Sequence, residues 1–257
     1  LASGASPVPS NVGNTPATDA AVAGHEEVMD MLIEHGDQVM DEWKHPRNEN
    51  PPLSLLAHTI ESSDNVDLFN RLVDNNLDVH RKGVNGTSLL HLASYVHRKE
   101  FVKLLVEEHD MDINAPDQVG RTPLMMACTL PSEGEEQGIT TPGRILHAEV
   151  MDTMFALGAD PEKQVEGATA IMYACETGHE VAYDMLKKQY KVDENMKIKD
   201  GKGGQHTLKE CLAQAKDKLA KKKTRKMISQ TMGQMSANAG NAGKFVKDSV
   251  SSSALGF

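Results

Sequence analysis

Histidine, cysteine, lysine and paired acids are the residues of this 257-residue chain whose types and spacing could do chemistry. Cys175 and His179 stand four apart, which on a helix puts two metal-ligating side chains on one face. Glu135 and Glu136 are adjacent acids, and Gly201-Lys202-Gly203-Gly204 is a basic, glycine-rich stretch. None of these completes a site. The chain holds no C-x-x-C, no H-E-x-x-H and no G-x-x-x-x-G-K-[ST]. The acid pair has no partner acid or base that the sequence holds near it, and no strand pattern precedes the glycines. The expectation is a chain with no catalytic residue, no metal and no cofactor.

The cations are grouped. Lys216, Lys218, Lys221, Lys222, Lys223, Arg225 and Lys226 put seven positive charges within 11 residues, and Leu212, Leu219 and Ile228 lie near helical spacing beside them. After residue 207 the chain has ten Lys and Arg against three acids; before it, 17 against 34, for a net charge of −10. An acidic body with a basic end repels nucleic acid over most of its surface, and no aromatic side chain interleaves the cations to stack on bases. The contact candidates Lys221, Lys222, Lys223, Arg225 and Lys226 suit the acidic body itself, an acidic protein surface or an anionic membrane. Each such cation is worth on the order of 1 kcal/mol near anionic head groups.

The elements that position these residues come from a repeat. In Gly167 to Leu186 (GATAIMYACETGHEVAYDML) one apolar run follows Thr169, Gly178 breaks it, and a second run follows. Each is too short to be a stable helix alone, because nucleation makes isolated helices below roughly 12 residues marginal. The frame recurs as Gly86-Thr87-Ser88-Leu89-Leu90-His91-Leu92-Ala93 and Gly120-Arg121-Thr122-Pro123-Leu124-Met125-Met126-Ala127, at spacings of 34 and 47. Second runs follow at Phe101–Val106 and Met151–Pro161. About 33 residues around a T-P-L-H-x-A core resembles the ankyrin repeat family.

The resemblance implies an all-α solenoid of about five to six helix-turn-helix repeats, with a basic C-terminal helix and extended terminal tails. Residues 1–12 read as a linker, and the array as 13–207. Within it lie a degenerate repeat at 13–45 and repeats at 48–81, 82–115, 116–162 (with an insert at 130–143) and 163–196. A capping helix at 208–230 and a flexible tail at 231–257 follow. In the first unit Val28, Met31 and Leu32 form a helical stripe ending at Gly36; one continuous helix from Thr15 to Glu34 is the alternative. Trp43–Pro52 reads as a polar connector, since three prolines bar a helix interior. About 14 extra residues in the fourth repeat match the insert, and a loop of that length is often a partner contact. By resemblance, His91 bonds backbone between turns and His179 follows the turn glycine, so neither is expected to hold a metal.

The family's concave face of turn tips and first helices implies protein binding. Matched by motif, the contact candidates are Val84, Asn85, Thr87, Tyr95 and Val96 in the third repeat. In the fourth they are Gln118, Val119, Arg121, Thr129 and Leu130, and in the fifth Val165, Glu166, Ala168, Glu176 and Thr177. Leu92, Met126 and Tyr173 share a packing register. The function expected is a non-catalytic scaffold, an accessory or structural subunit that docks one or more proteins within a larger assembly. The alternatives are a regulator masking a partner's active or recognition surface, and a membrane-surface adaptor using the basic helix. Three cysteines in an odd, unpaired set suit a reducing intracellular compartment. The first residue, Leu1, fits an organelle if a presequence was removed, and the cytoplasm otherwise.

Overall fold

Side-chain hydroxyls start the first helix of the first, third and fourth repeats. The structure, a computed structural model, describes residues 14–39, 42–43, 53–62, 64–129, 143–164, 168–190, 197–199, 205–222 and 224. The readings made above for residues 1–12, 231–257 and most of the insert lie outside these. Thr15 caps α1 (Pro16–Val22), accepting from the Thr18 N–H at 3.2 Å, with Pro16 at the first helical position. Ser88 caps α5 (Leu89–Tyr95) and Thr122 caps α7 (Pro123–Ala127) in the same way, through the His91 and Met125 N–H groups. Each cap is worth about 1 kcal/mol. Proline at the helix start costs nothing, because the N–H it lacks would have no helical partner.

Each first helix is answered by a second. These are α2 (Glu26–Glu34), α4 (Val66–Asp74) after α3 (Leu55–Ser62), α6 (Lys99–Glu107), α8 (Gly143–Ala156) and α10 (Glu180–Tyr190) after α9 (Ala170–Thr177). Residues 15–34 are therefore two helices, turned at Ala23-Gly24, and not one. First helices stack in a row, α1 on α3, α3 on α5, α5 on α7 and α7 on α9, while α6 packs on α8 and α8 on α10. One continuous core results, with Phe69 and Phe101 fully buried and edge to face at 5.3 Å. No repeat could bury its apolar face without these neighbours.

Three features differ from the sequence reading. In α2 the buried residue is Met29, with Leu32 and Ile33 packed beside it, whereas Val28 and Met31 are exposed. The apolar face follows positions i, i+3 and i+4 from Met29, one residue round from the expected stripe. The second helix of the fourth repeat begins at Gly143 and not near Met151, two turns earlier. Short antiparallel ladders also join the helices. β1 (Glu42–Trp43) pairs with β2 (Leu53–Ser54), closing the ends of the connector, and β3 (Lys197–Lys199) pairs with β4 (Gln205–Thr207).

Residues 208–222 form a final helix, α11. Thr207 and Glu210 cap it reciprocally: the Glu210 N–H donates to Thr207 Oγ1 at 3.2 Å and the Thr207 N–H to Glu210 Oε2 at 2.9 Å. Those bonds hold the Glu210 carboxyl below its ordinary range. Leu208 and Ala215 are buried, and α11 lies so close to the fifth repeat that a Cβ on Gly178 would stand 2.9 Å from Leu219 Cδ1. Lys216 pairs with Glu180 of α10 at 2.7 Å.

Candidate functional site

Two sites are legible, a row of turn tips and a cluster of histidines. At the tips the chain folds back before each first helix. In the third repeat, Val84–Gly86 makes a tight helical turn with Asn85 left-handed at φ 58°. The Thr87 hydroxyl donates to the Val84 carbonyl at 2.9 Å, and the Gly83 N–H to the Thr87 carbonyl at 2.7 Å. In the fourth repeat, Asp117 organises the equivalent turn. Its carboxylate accepts from the Val119 and Arg121 N–H groups at 3.0 and 2.8 Å and from the Arg121 guanidinium at 2.7 Å. Burial works to raise the Asp117 pKa, but the Arg121 hydrogen bonds and charge outweigh it and hold it low. One backbone bond, Gln118 N–H to the Asn85 carbonyl at 2.9 Å, fastens the two tips together.

These bonds sort the contact candidates. Val84 and Val119 stand in solvent, 75% and 54% exposed, with Asn85 and Gln118 exposed between them. Arg121 is half-buried and engaged by its own loop, and Thr87 is tied to its own turn. Tyr95 and Val96 are half-buried, and Val96 packs on the core. Thr129 donates to the Met125 carbonyl at 3.0 Å, and Thr177 lies within hydrogen-bond reach of the Cys128 and Tyr173 carbonyls at 2.9 and 2.8 Å. Glu176 is exposed and Ala168 half-buried. Leu130, Val165 and Glu166 lie outside the described residues, as do Lys223, Arg225 and Lys226. Lys221 and Lys222 are exposed on α11, Lys221 paired with Asp217 at 2.5 Å. Leu92 and Tyr173 pack against the core, and Met126 is half-buried.

Two histidines stitch repeat to repeat. His91 Nε2 donates to the Arg121 carbonyl at 2.9 Å, which leaves Nδ1 to accept from the Ser88 hydroxyl at 2.8 Å. His97 Nε2 donates to the Ala127 carbonyl at 3.0 Å. Because a carbonyl can only accept, the proton of each neutral ring sits on Nε2.

His97 also does something the sequence does not announce. It ends α5 in the left-handed region, at φ 58°. The Arg98 N–H reaches the Ala93 carbonyl at 2.9 Å and the His97 N–H the Ser94 carbonyl at 3.3 Å. Gly178 makes the same pair of bonds in the fifth repeat, through the His179 and Gly178 N–H groups to Ala174 and Cys175. Gly24 does so in the first, where the His25 and Gly24 N–H groups reach Ala20 and Ala21. This is the glycine position of a Schellman turn, and a side chain there costs roughly 1–2 kcal/mol. His97 is held in it by its ring.

That ring meets two others. His97 and His147, from α8, stack at 3.8 Å between centroids and 14° between planes. His179 lies tilted 4.7 Å from His147 and 6.0 Å from His97. The three potential ligand nitrogens lie within 4.8 Å of one another. His97 and His179 are buried and His147 half-buried. Burial, reinforced by the neighbouring His147, pushes the His97 pKa down to about 3 and that of His179 to about 4; burial lowers His147 too. All three are neutral imidazoles at pH 7. Neither His97 Nδ1 nor His179 Nε2 has a hydrogen-bond partner. The one available signal in the sequence was a histidine standing where the first and fifth repeats have Gly24 and Gly178.

The cysteines carry no such chemistry. Cys128 and Cys175 are buried in equivalent positions, and burial raises both thiols, Cys175 to about 12. Neither is a thiolate at neutral pH.

Paired short helices in two stacked rows, joined by backbone-fastened turns, define a helical-repeat solenoid, a class whose members bind along one face. Residues 53–136 match the family of ankyrin repeats in three copies, and this part of the chain is an ankyrin repeat array. No curated protein matches it at a significant level. Ankyrin repeats are in general protein–protein interaction modules and typically non-catalytic. No helix among the described residues is long and apolar enough to cross a membrane.

Proposed function

We propose that the array is a non-catalytic scaffold, an accessory subunit that docks a protein partner within a larger assembly through its row of turn tips. The observation that carries this reading is the pair Val84 and Val119, two apolar side chains held in water on adjacent tips. Exposed valines are ordinary singly. Here both sit on turns fastened by the Gln118–Asn85 bond, so a partner would meet a preformed edge and lose little entropy in ordering it. The Asp117–Arg121 pair holds the tip's shape and leaves recognition to Val84, Asn85, Gln118 and Val119.

The basic helix takes a secondary part. Lys216 is directed to Glu180 of α10, which favours docking of α11 on its own array over attachment to a membrane surface, while Lys221 pairs with Asp217 within α11. Native size separation of the endogenous protein, with crosslinking of what comigrates, tests the proposal. Comigration at fixed stoichiometry, lost in Val84→Asp/Val119→Asp while the fold persists, is the expected result. A lone chain near 28 kDa, or companions retained by the double variant, would overturn it.

A further inference from the structure

We propose that His97, His147 and His179 form a binding site for one divalent transition metal ion of the Zn2+ type. The inference stands apart from partner docking and rests on three rings brought together from three successive repeats. Their ligand nitrogens, within 4.8 Å of one another, are near the roughly 3.4 Å separations that a tetrahedral ion with bonds of about 2.0–2.1 Å imposes. The donor set is three imidazoles with no carboxylate or thiolate among them. Imidazoles suit Zn2+, Cu2+ and Ni2+ and do not suit Mg2+ or Ca2+. Three protein ligands leave a fourth position for water.

Each ring has its own part. The Ala127 carbonyl holds the His97 proton on Nε2, so the buried Nδ1, which has no hydrogen-bond partner, is the nitrogen left with a lone pair to bind. An imidazole N–H donated to a backbone carbonyl is the usual means of fixing a metal-binding tautomer. His147 is the mobile member. Two parallel rings 3.8 Å apart cannot both hold one ion in their planes, so binding turns His147 out of its stack by side-chain rotation on α8. His179 presents Nε2, also buried and partnerless. Its Nδ1 accepts from the Ala182 N–H at 3.2 Å, and ligation through Nε2 moves the ring proton to Nδ1 and releases that N–H. Low pKa values mean that no proton need be driven off the rings at pH 7.

This accounts for His97 standing at a turn where Gly24 and Gly178 stand elsewhere. Strained backbone positions of this kind gather at ligand sites. An ion held there would fasten the third, fourth and fifth repeats together across the segment between Thr129 and Gly143.

The test is titration of the full chain, stripped with EDTA, using Zn2+ by calorimetry and Co2+ by visible absorption. The expected result is one equivalent bound, a ligand-field band from nitrogen-coordinated Co2+, and reversal by EDTA. His147→Gln should weaken binding at least about tenfold, and so should His97→Asn, which keeps a residue tolerant of the left-handed turn. His80→Gln, at an exposed histidine outside the cluster, should change nothing. Amide exchange at Ala182 should speed up on binding, a signature that metal on surface histidines would not give. No saturation at one equivalent, or saturation undisturbed by both cluster variants, would overturn the proposal.

Discussion

The turn between α5 and α6 and the turn between α9 and α10 make the same two backbone bonds with different residues. In one, Gly178 takes the left-handed conformation, and its missing Cβ leaves room for Leu219 and Ala215 of α11. In the other, His97 takes that conformation against its preference and spends its side chain on the next repeat's Ala127 carbonyl and on His147. The backbone asks only for φ > 0. What fills the turn beyond that is set by what packs outside it: a terminal helix at Gly178, two further rings at His97.

The largest effect that would separate the turns is in acid. His97 and His179 have folded-state pKa values of about 3 and about 4, below the roughly 6.5 of an unfolded histidine. The unfolded chain therefore binds protons first as pH falls. The stability these rings contribute is complete above pH 6.5 and is lost as pH drops towards 4. Between pH 7.5 and 5 the two should cost about 4 kcal/mol, read from urea unfolding midpoints. His97→Asn should remove about half of that dependence, and an unchanged dependence would show that the ring is not buried in its neutral form.

At Gly178 a side chain meets both strain and Leu219, so Gly178→Val should cost about 3 kcal/mol and speed amide exchange across residues 208–222. The smallest effect sharpens the contrast. Gly24 is also left-handed but has open space around it, so Gly24→Ala should cost only about 1 kcal/mol, from backbone strain alone. Equal losses at Gly24 and Gly178 would mean that α11 does not press on the fifth repeat.

The sequence made the repeat frame plain because its signals are local. Thr122-Pro123, Ser88 and Thr15 announce helix starts within four residues, and the His91 bond to the Arg121 carbonyl follows from its place in that frame. The histidine cluster was not legible, since it depends on the phase of α8. That helix begins at Gly143, eight residues before the apolar pattern that marked it, so His147 fell outside any element. The cost of a misplaced helix start is a face rotated out of view. The ladders went unread for a different reason. Two- and three-residue strands carry no periodicity, and Trp43–Leu53 or Ile198–His206 pair only because the chain folds back on itself. Among the contact candidates, Arg121 looks like an interface arginine by type, and only the Asp117 carboxylate beside it reveals a residue occupied at home.

The short helix α7 is held from both sides: its closing Ala127 carbonyl takes the His97 ring, and the Cys128 carbonyl that follows takes the Thr177 hydroxyl. Thr129 thus follows a fixed post, and α8 is seated between α6 and α10. Doubling the length of a loop between fixed ends costs only about 0.6 kcal/mol. Because α7 and α8 are each held by their own neighbours, exchanging residues 130–142 for another segment, or for a foreign peptide, should leave the repeats on either side in register.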